Sequence, residues 1–334
     1  MFEVNTTLVL GAGASVGYGF PLGNQLIDKM ITRCPESQDG LGEEAKQRRK
    51  LRESLKFYDP LSIDSFLQHY KETDSKLVEY AKAVISEVLH DSAKPELFNR
   101  TVENSRLGKY HWYRIFWNSL VAGKTAEELS STDADLNFNV ISFNYDPSLE
   151  FFFYSRSTSR NSFLNEAQRI GFLKNLAPRI HHVYGCIQDY DWIRRGGKDS
   201  NVKYGYEKNQ RDSIYYDAYE NRDRIKLIDE RKGSYDHLKE ILRNSDQIIF
   251  LGFAFDDVNI GAEVLDLKES LKPTNAHRIL ELGRSLPIIK YTNLENSELI
   301  NNKLNSIVDG VRRLYKSTKT VYEAIEQDFR LNGI

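Results

Sequence analysis

The chain is poor in cysteine, with Cys34 and Cys186 as its two among 334 residues. Two distant cysteines exclude a disulfide framework, and without a CxxC pair there is no zinc-binding module. A charge excess is also lacking. Lys plus Arg number 46 against 48 Asp plus Glu, a formal net charge of −2. Proteins that work on the phosphate backbone of nucleic acids usually carry a basic excess, so direct nucleic-acid binding is not expected. No run of 18 apolar residues occurs, so no segment is expected to span a membrane. The opening "MFEVNTT" has neither the basic start nor the apolar stretch of a signal peptide, so a cytoplasmic protein is expected.

What is present suits a buried core, with 40% hydrophobic and 28% charged residues. Five short apolar runs read as strands: "TTLVL" (6–10), "FNVISF" (138–143), "IHHVY" (180–184), "QIIFL" (247–251) and "PIIKY" (287–291). Val/Ile-rich runs bounded by polar or glycine-rich residues suit a parallel sheet covered on both faces. Helical patterns lie between them, as in "SKLVEYAKAVISEVLH" (75–90) and "SYDHLKEILRNS" (234–245). The expected fold is α/β, a Rossmann-like doubly wound parallel sheet in one domain spanning 1–334. Two insertions are expected. One, helical, covers about 24–135, broken by Pro35, Pro60 and Pro95. The other, charged and tyrosine-rich, covers about 190–232. The basic run "KQRRKLR" (46–52) reads as a solvated helix face.

In an open parallel sheet, ligands sit beyond the carboxyl ends of the strands. After the first run comes Gly11-Ala12-Gly13-Ala14-Ser15. Such glycines let a backbone turn tightly and approach a phosphate, which a following helix N-terminus attracts. Close packing of helix on strand explains the same residues. The spacing departs from the dehydrogenase fingerprint, since the next glycine is Gly17 and not residue 16. After the second run comes "FNYDP", with Asn144 and Asp146. Asp146 can be explained as a helix cap, but Asn144 cannot. After the third comes Tyr184-Gly185-Cys186, and after the fourth "GFAFDD", with Gly252, Phe253 and an acidic pair.

Taken in order, "GAGAS", "SFNYD", "YG" and "LGFAFDD" resemble the SIR2 family, over about residues 6 to 295. The "SFNYD" and "LGFAFDD" forms look like the bacterial SIR2-like proteins of anti-phage defence, and the missing zinc cysteines agree. The resemblance implies an NAD+ hydrolase that cleaves the nicotinamide–ribose bond and depletes the NAD+ of an infected cell. It implies no zinc, a separate sensor or regulatory partner, and a homo-oligomer or hetero-complex. By resemblance, Gly11, Ala12, Gly13, Ala14, Ser15, Asp146, Gly185, Gly252 and Phe253 contact NAD, and Asn144 orients the ribose or a water.

Where the family has a histidine acting as general base, this chain has Tyr184. A phenol with a pKa near 10 is a poor base at neutral pH. His182 lies two residues earlier, on the same strand face by alternation, about 6–7 Å further from the crevice. It is the expected substitute. Three readings stay open: an enzyme adapted to tyrosine, a silent module binding NAD+ or an ADP-ribose derivative, or a histidine replaced to inactivate the site.

Overall fold

The computed structural model describes residues 4–36, 42–60, 62–98, 111–159, 162–188, 217–227, 230, 235–271, 287–308, 314–329 and 331. The expected insertion at about 190–232 lies largely outside the described residues. The strands are β1 (Thr6–Leu10), β2 (Phe138–Ser142), β3 (Ile180–His182), β4 (Gln247–Leu251), β5 (Ile288–Thr292) and β6 (Leu314–Ser317). They form one sheet in the order β3-β2-β1-β4-β5-β6, with every pairing parallel. This is the strand order of a Rossmann-like doubly wound fold.

β1 and β4 are buried along their whole length, as central strands covered on both faces must be. Their register is continuous from Thr6 opposite Gln247 to Leu10 opposite Leu251. Two threonines in β1 would be costly there if left unpaired. Thr7 pairs its hydroxyl with Ser245 Oγ at 2.6 Å. β6 was not foreseen. It is an edge strand in which Tyr315 and Lys316 are exposed, so it has no apolar run to betray it.

Between β1 and β2 come α1 (Gly23–Arg33), α2 (Glu43–Tyr58), α3 (Ile63–Lys71), α4 (Ser75–Ser92), α5 (Trp112–Val121) and α6 (Ala126–Ser130). α4 is the centre of this subassembly and packs against α1, α2 and α3. After β2 come α7 (Ser148–Thr158) and α8 (Glu166–Leu176). The later helices are α9 (Asp236–Asn244), α10 (Asp257–Ile260), α11 (Leu267–Ser270) and α12 (Glu298–Ile307).

The basic run at 46–52 corrects its reading as a solvated face. It lies on α2, and only part of it faces water. Arg48 is buried and forms a two-pronged contact with the Glu87 carboxylate on α4. Arg52 donates to the carbonyls of Ile31 (2.7 Å) and Cys34 (3.1 Å) at the end of α1. Two of its guanidinium groups therefore tie helices together.

The chain runs outward from β1 through β2 to β3, then returns to place β4 on the other side of β1. The strand order thus reverses at β1, and such a switch point is where an open parallel sheet forms ligand crevices at its carboxyl edge. α5 braces this point. Trp112 Nε1 donates to Ala14 O at 2.8 Å, and Tyr113 N donates to Tyr18 Oη at 2.9 Å. The Tyr18 and Tyr113 rings stack with centroids 3.8 Å apart.

Candidate functional site

The turn after β1 does not lead straight into an α-helix. Two short 3-10 turns (Ala12–Ala14 and Val16–Tyr18) follow, and α1 starts only at Gly23. The turn's own amides are largely engaged. Gly11 N donates to Leu251 O (3.0 Å), Gly13 N to Gly252 O (3.1 Å), Ala14 N to Gly11 O (2.9 Å) and Ser15 N to Ala12 O (3.1 Å). This corrects the expectation of a helix N-terminus opening directly from the glycines. The helix starts that meet the cavity are those of α1 (Leu22, Gly23, Asn24), α3 (Ser62, Ile63, Asp64) and α10 (Asp256).

The glycines have a different first task as well. A Cβ on Gly13 would stand 2.7 Å from Gly252 Cα, and one on Gly11 would strike the Gly252 carbonyl. Gly252 has φ +57°, and a Cβ there would strike the backbone of Gly13 and Ala14. The two loops pack backbone on backbone, in contacts that leave no room for a side chain.

A cavity of about 420 Å³ opens beyond the carboxyl ends of β1, β2 and β4. The strand-end residues Gly11, Ala12, Gly13, Ser15, Asn144, Asp146, Tyr184, Gly252 and Phe253 all line it. Three expected site residues do not. Ala14 lines a neighbouring cavity. Gly185 (φ +78°) is on neither wall, and a Cβ there would strike the Arg224 carbonyl. Its lack of a side chain admits the 224–226 segment, where Lys226 N donates to Tyr184 O at 2.9 Å.

His182 is the third, and it corrects the expected substitute base. β3 ends at His182 and the chain turns, so strand alternation does not carry on to Tyr184. The ring of His182 is buried between Asn144 O (2.8 Å from Nδ1) and Glu150 Oε1 (2.6 Å from Nε2). Both ring nitrogens are engaged. The residue supports the Asn144 loop from below.

Asn144 is held from two sides. Its Nδ2 donates to Gly11 O and to Ser15 Oγ, each at 2.9 Å. The amide is thereby oriented, and its Oδ1 has no hydrogen-bond partner among the described residues. A carbonyl oxygen on the cavity wall is left to accept. Asp146 accepts from the Ser148 amide at 3.1 Å and from the Ser148 hydroxyl, so it fixes the turn before α7, whose N-cap position is held by Pro147 and not by Asp146. Burial foremost pushes its carboxyl above the usual range.

Tyr184 is buried, and its hydroxyl donates to Asn259 Oδ1 on α10. Burial, then the Asp64 charge, pushes this phenol well above its ordinary value, so it is still less a base than its type suggests. Tyr145 donates its hydroxyl to Asp64 Oδ1 on α3. Asp64 and Asp256 both face the cavity, and sequence reasoning gave neither a role. Asp256 lies in the acidic pair noticed after β4, whereas nothing local marks Asp64. Among the described residues the lining includes three carboxyl groups and no Lys, Arg or His. Such a wall favours a positive charge.

A second cavity, of about 630 Å³, lies on the other side of the Gly13–Gly252 contact. Its walls include Trp112, Asn293, Glu295, Ile300 and Lys319, and it shares Gly13, Leu22, Gly252, Phe253 and Ala254 with the first. Together the two lobes run along the switch point, as an extended two-part ligand requires. Among the described residues, no group of three or more His, Cys, Asp or Glu is placed to hold a metal ion. Nor is any helix among them long and apolar enough to cross a membrane. Compared with protein-family models and with curated proteins, the chain matches none.

Proposed function

We propose that this chain is a SIR2-like NAD+ hydrolase that cleaves the nicotinamide–ribose bond, an effector of anti-phage defence acting by NAD+ depletion in the cytoplasm. One observation carries the reading. Among the described residues, the smaller lobe combines an oriented, unpartnered Asn144 Oδ1 with three carboxyl groups and no cationic side chain. Cleaving this bond starts from a cationic nicotinamide and builds oxocarbenium charge on the ribose. An acidic wall stabilises both. Asn144 Oδ1 accepts from the ribose or the attacking water. The pyrophosphate lies over the Gly13–Gly252 contact near the start of α1, and the adenosine in the larger lobe.

Aromatic rings back the site: Phe143 lies against Tyr184 and Phe253, and Tyr145 lies against Tyr184. Nicotinamide leaves neutral once the C1′–N bond electrons return to its ring, so no strong acid is required. The test is NAD+ consumption by the purified chain, with and without the protein encoded next to its gene. Released nicotinamide and ADP-ribose support the reading, and intact NAD+ in both arms overturns it.

A second reading draws on Tyr184. Its hydroxyl is tied to Asn259, and His182 at the end of β3 does not reach the cavity wall. A silent module would bind NAD+ or an ADP-ribose derivative as a sensor or scaffold. Calorimetric binding without product separates it from the hydrolase.

A further inference from the structure

We propose that Asp64, carried on α3 of the helical insertion, is the general base that takes the proton of the attacking water. The proposal rests on the hydrolase reading and supplies the base that the third strand end lacks. It follows from elimination within the smaller cavity. Among the described residues, the titratable side chains on its wall are Asp64, Asp146, Asp256, Tyr145 and Tyr184. Both phenols are driven upward by burial, so neither is ionised near neutral pH. The Asp146 carboxylate is buried and held by the amide and hydroxyl of Ser148 in the turn that leads into α7. The Asp256 carboxylate accepts from Val258 N at 3.0 Å, capping α10.

Asp64 differs from these. Unlike Asp146 it is only half-buried, and unlike Asp256 it caps no helix: its Oδ1 accepts from Tyr145 Oη, the neighbour of Asn144. Its Oδ2 receives only a long contact from Ser62 Oγ, at 3.4 Å, and so retains accepting capacity. Tyr145 stands next to Asn144 in the chain, so one loop positions both the base and the group that orients the water. Facing Asp64 are Tyr145 from the loop after β2, Tyr184 from the turn after β3, Asp256 from the start of α10, and Ser62 at its own helix cap. Burial first, and then the Asp256 charge, raises the Asp64 carboxyl, while the Tyr145 and Ser62 hydroxyls pull it down. The net shift is upward, toward working pH, as a base requires.

The step balances without a further reactant. The C1′–N bond breaks, and its electron pair leaves with nicotinamide. Water oxygen bonds to C1′, its proton passes to the Asp64 carboxylate, and that proton is released to solvent. The products are nicotinamide, ADP-ribose and H+.

Asp64→Asn keeps the acceptor for Tyr145 and removes the base. Turnover falls about 10²–10⁴-fold, the usual worth of a general base, with NAD+ affinity unchanged by calorimetry. In Asp64→Ala, added formate restores part of the lost rate. Activity of the wild type rises with pH as Asp64 deprotonates. Asp256→Asn removes a like charge and moves this rise to lower pH. Tyr145→Phe removes a donor to the carboxylate and moves it to higher pH. Turnover within tenfold in Asp64→Asn, or a rise that neither variant moves, overturns the base and leaves the hydrolase reading standing. A wild-type chain that cleaves no NAD+, alone or with its neighbour-encoded partner, overturns both.

Discussion

Glu150→Ala tests the support beneath the Asn144 loop. The Glu150 and His182 side chains are each 2% exposed, with Oε1 and Nε2 2.6 Å apart. The other ring nitrogen lies 2.8 Å from Asn144 O. A carbonyl only accepts, so Nδ1 carries a hydrogen, and a second proton lies between Nε2 and the carboxylate. Burial opposes the imidazolium. The Glu150 charge and hydrogen bond, the Asn144 carbonyl and Asp146 outweigh it, so the His182 pKa is raised. Removing one member of a buried pair costs about 3–5 kcal/mol. Unfolding entropy is roughly 2.1 cal/mol/K per residue, so for 334 residues Tm falls about 4–7 °C.

Glu150→Gln separates charge from hydrogen bonding. The Gln amide donates to Nε2 of a neutral ring while Nδ1–H keeps Asn144 O, so both contacts survive. The expected loss is about 1 kcal/mol. Because the folded pKa is raised, the stabilisation in the wild type is complete below the unfolded value, about 6.5, and is lost as pH rises through the folded value. Scanning calorimetry between about pH 6 and pH 9 should show the wild type losing its advantage over Glu150→Gln. An Ala variant within about 1 kcal/mol of the wild type refutes the reasoning. So does a constant gap between the wild type and Glu150→Gln at every pH.

Four further outcomes are expected. Asn144→Ala abolishes NAD+ cleavage and also costs about 1–3 kcal/mol, because Gly11 O and Ser15 Oγ lose their donor. Undiminished turnover in a folded variant removes Asn144 from the mechanism. Gly252→Ala destabilises by roughly 2–5 kcal/mol, since a left-handed backbone and a backbone clash both oppose the methyl group. Gly13→Val acts the same way through Gly252 Cα, so it lowers Tm as well as NAD+ affinity; an unchanged Tm refutes this. Tyr184→Phe retains turnover within about tenfold, because the proton goes elsewhere, whereas a loss of general-base size reinstates tyrosine in the chemistry.

The parts of the fold legible in the sequence were those whose physics is local. β1, β2, β4 and β5 sit inside the sheet, and double-sided burial demands the apolar runs that mark them. β3 read two residues too long because Val183 and Tyr184 are apolar for another reason. They leave the ladder, and Tyr184 turns its ring toward Phe143 and Tyr145. The strand-end motifs gave the positions of Asn144 and Tyr184 on the cavity wall because a parallel sheet brings all its carboxyl ends to one edge.

His182 and Asp64 show where that reasoning stops. Strand alternation places two side chains on one face only while the strand continues, and β3 closes at His182. The ring then takes the partner that packing offers, which is Glu150 on α7. Asp64 stands in "SIDSF", where Ser62 capping a short helix accounts for every residue. Its place in the cavity comes from a contact with Tyr145, 81 positions later in the chain, made when α3 packs on α4 and the insertion folds over the sheet edge. No spacing rule encodes a contact of that kind. A base supplied from the insertion frees the third strand end to carry a tyrosine. The Tyr184–Asn259 contact can then hold α10 against the cavity without taking part in proton transfer.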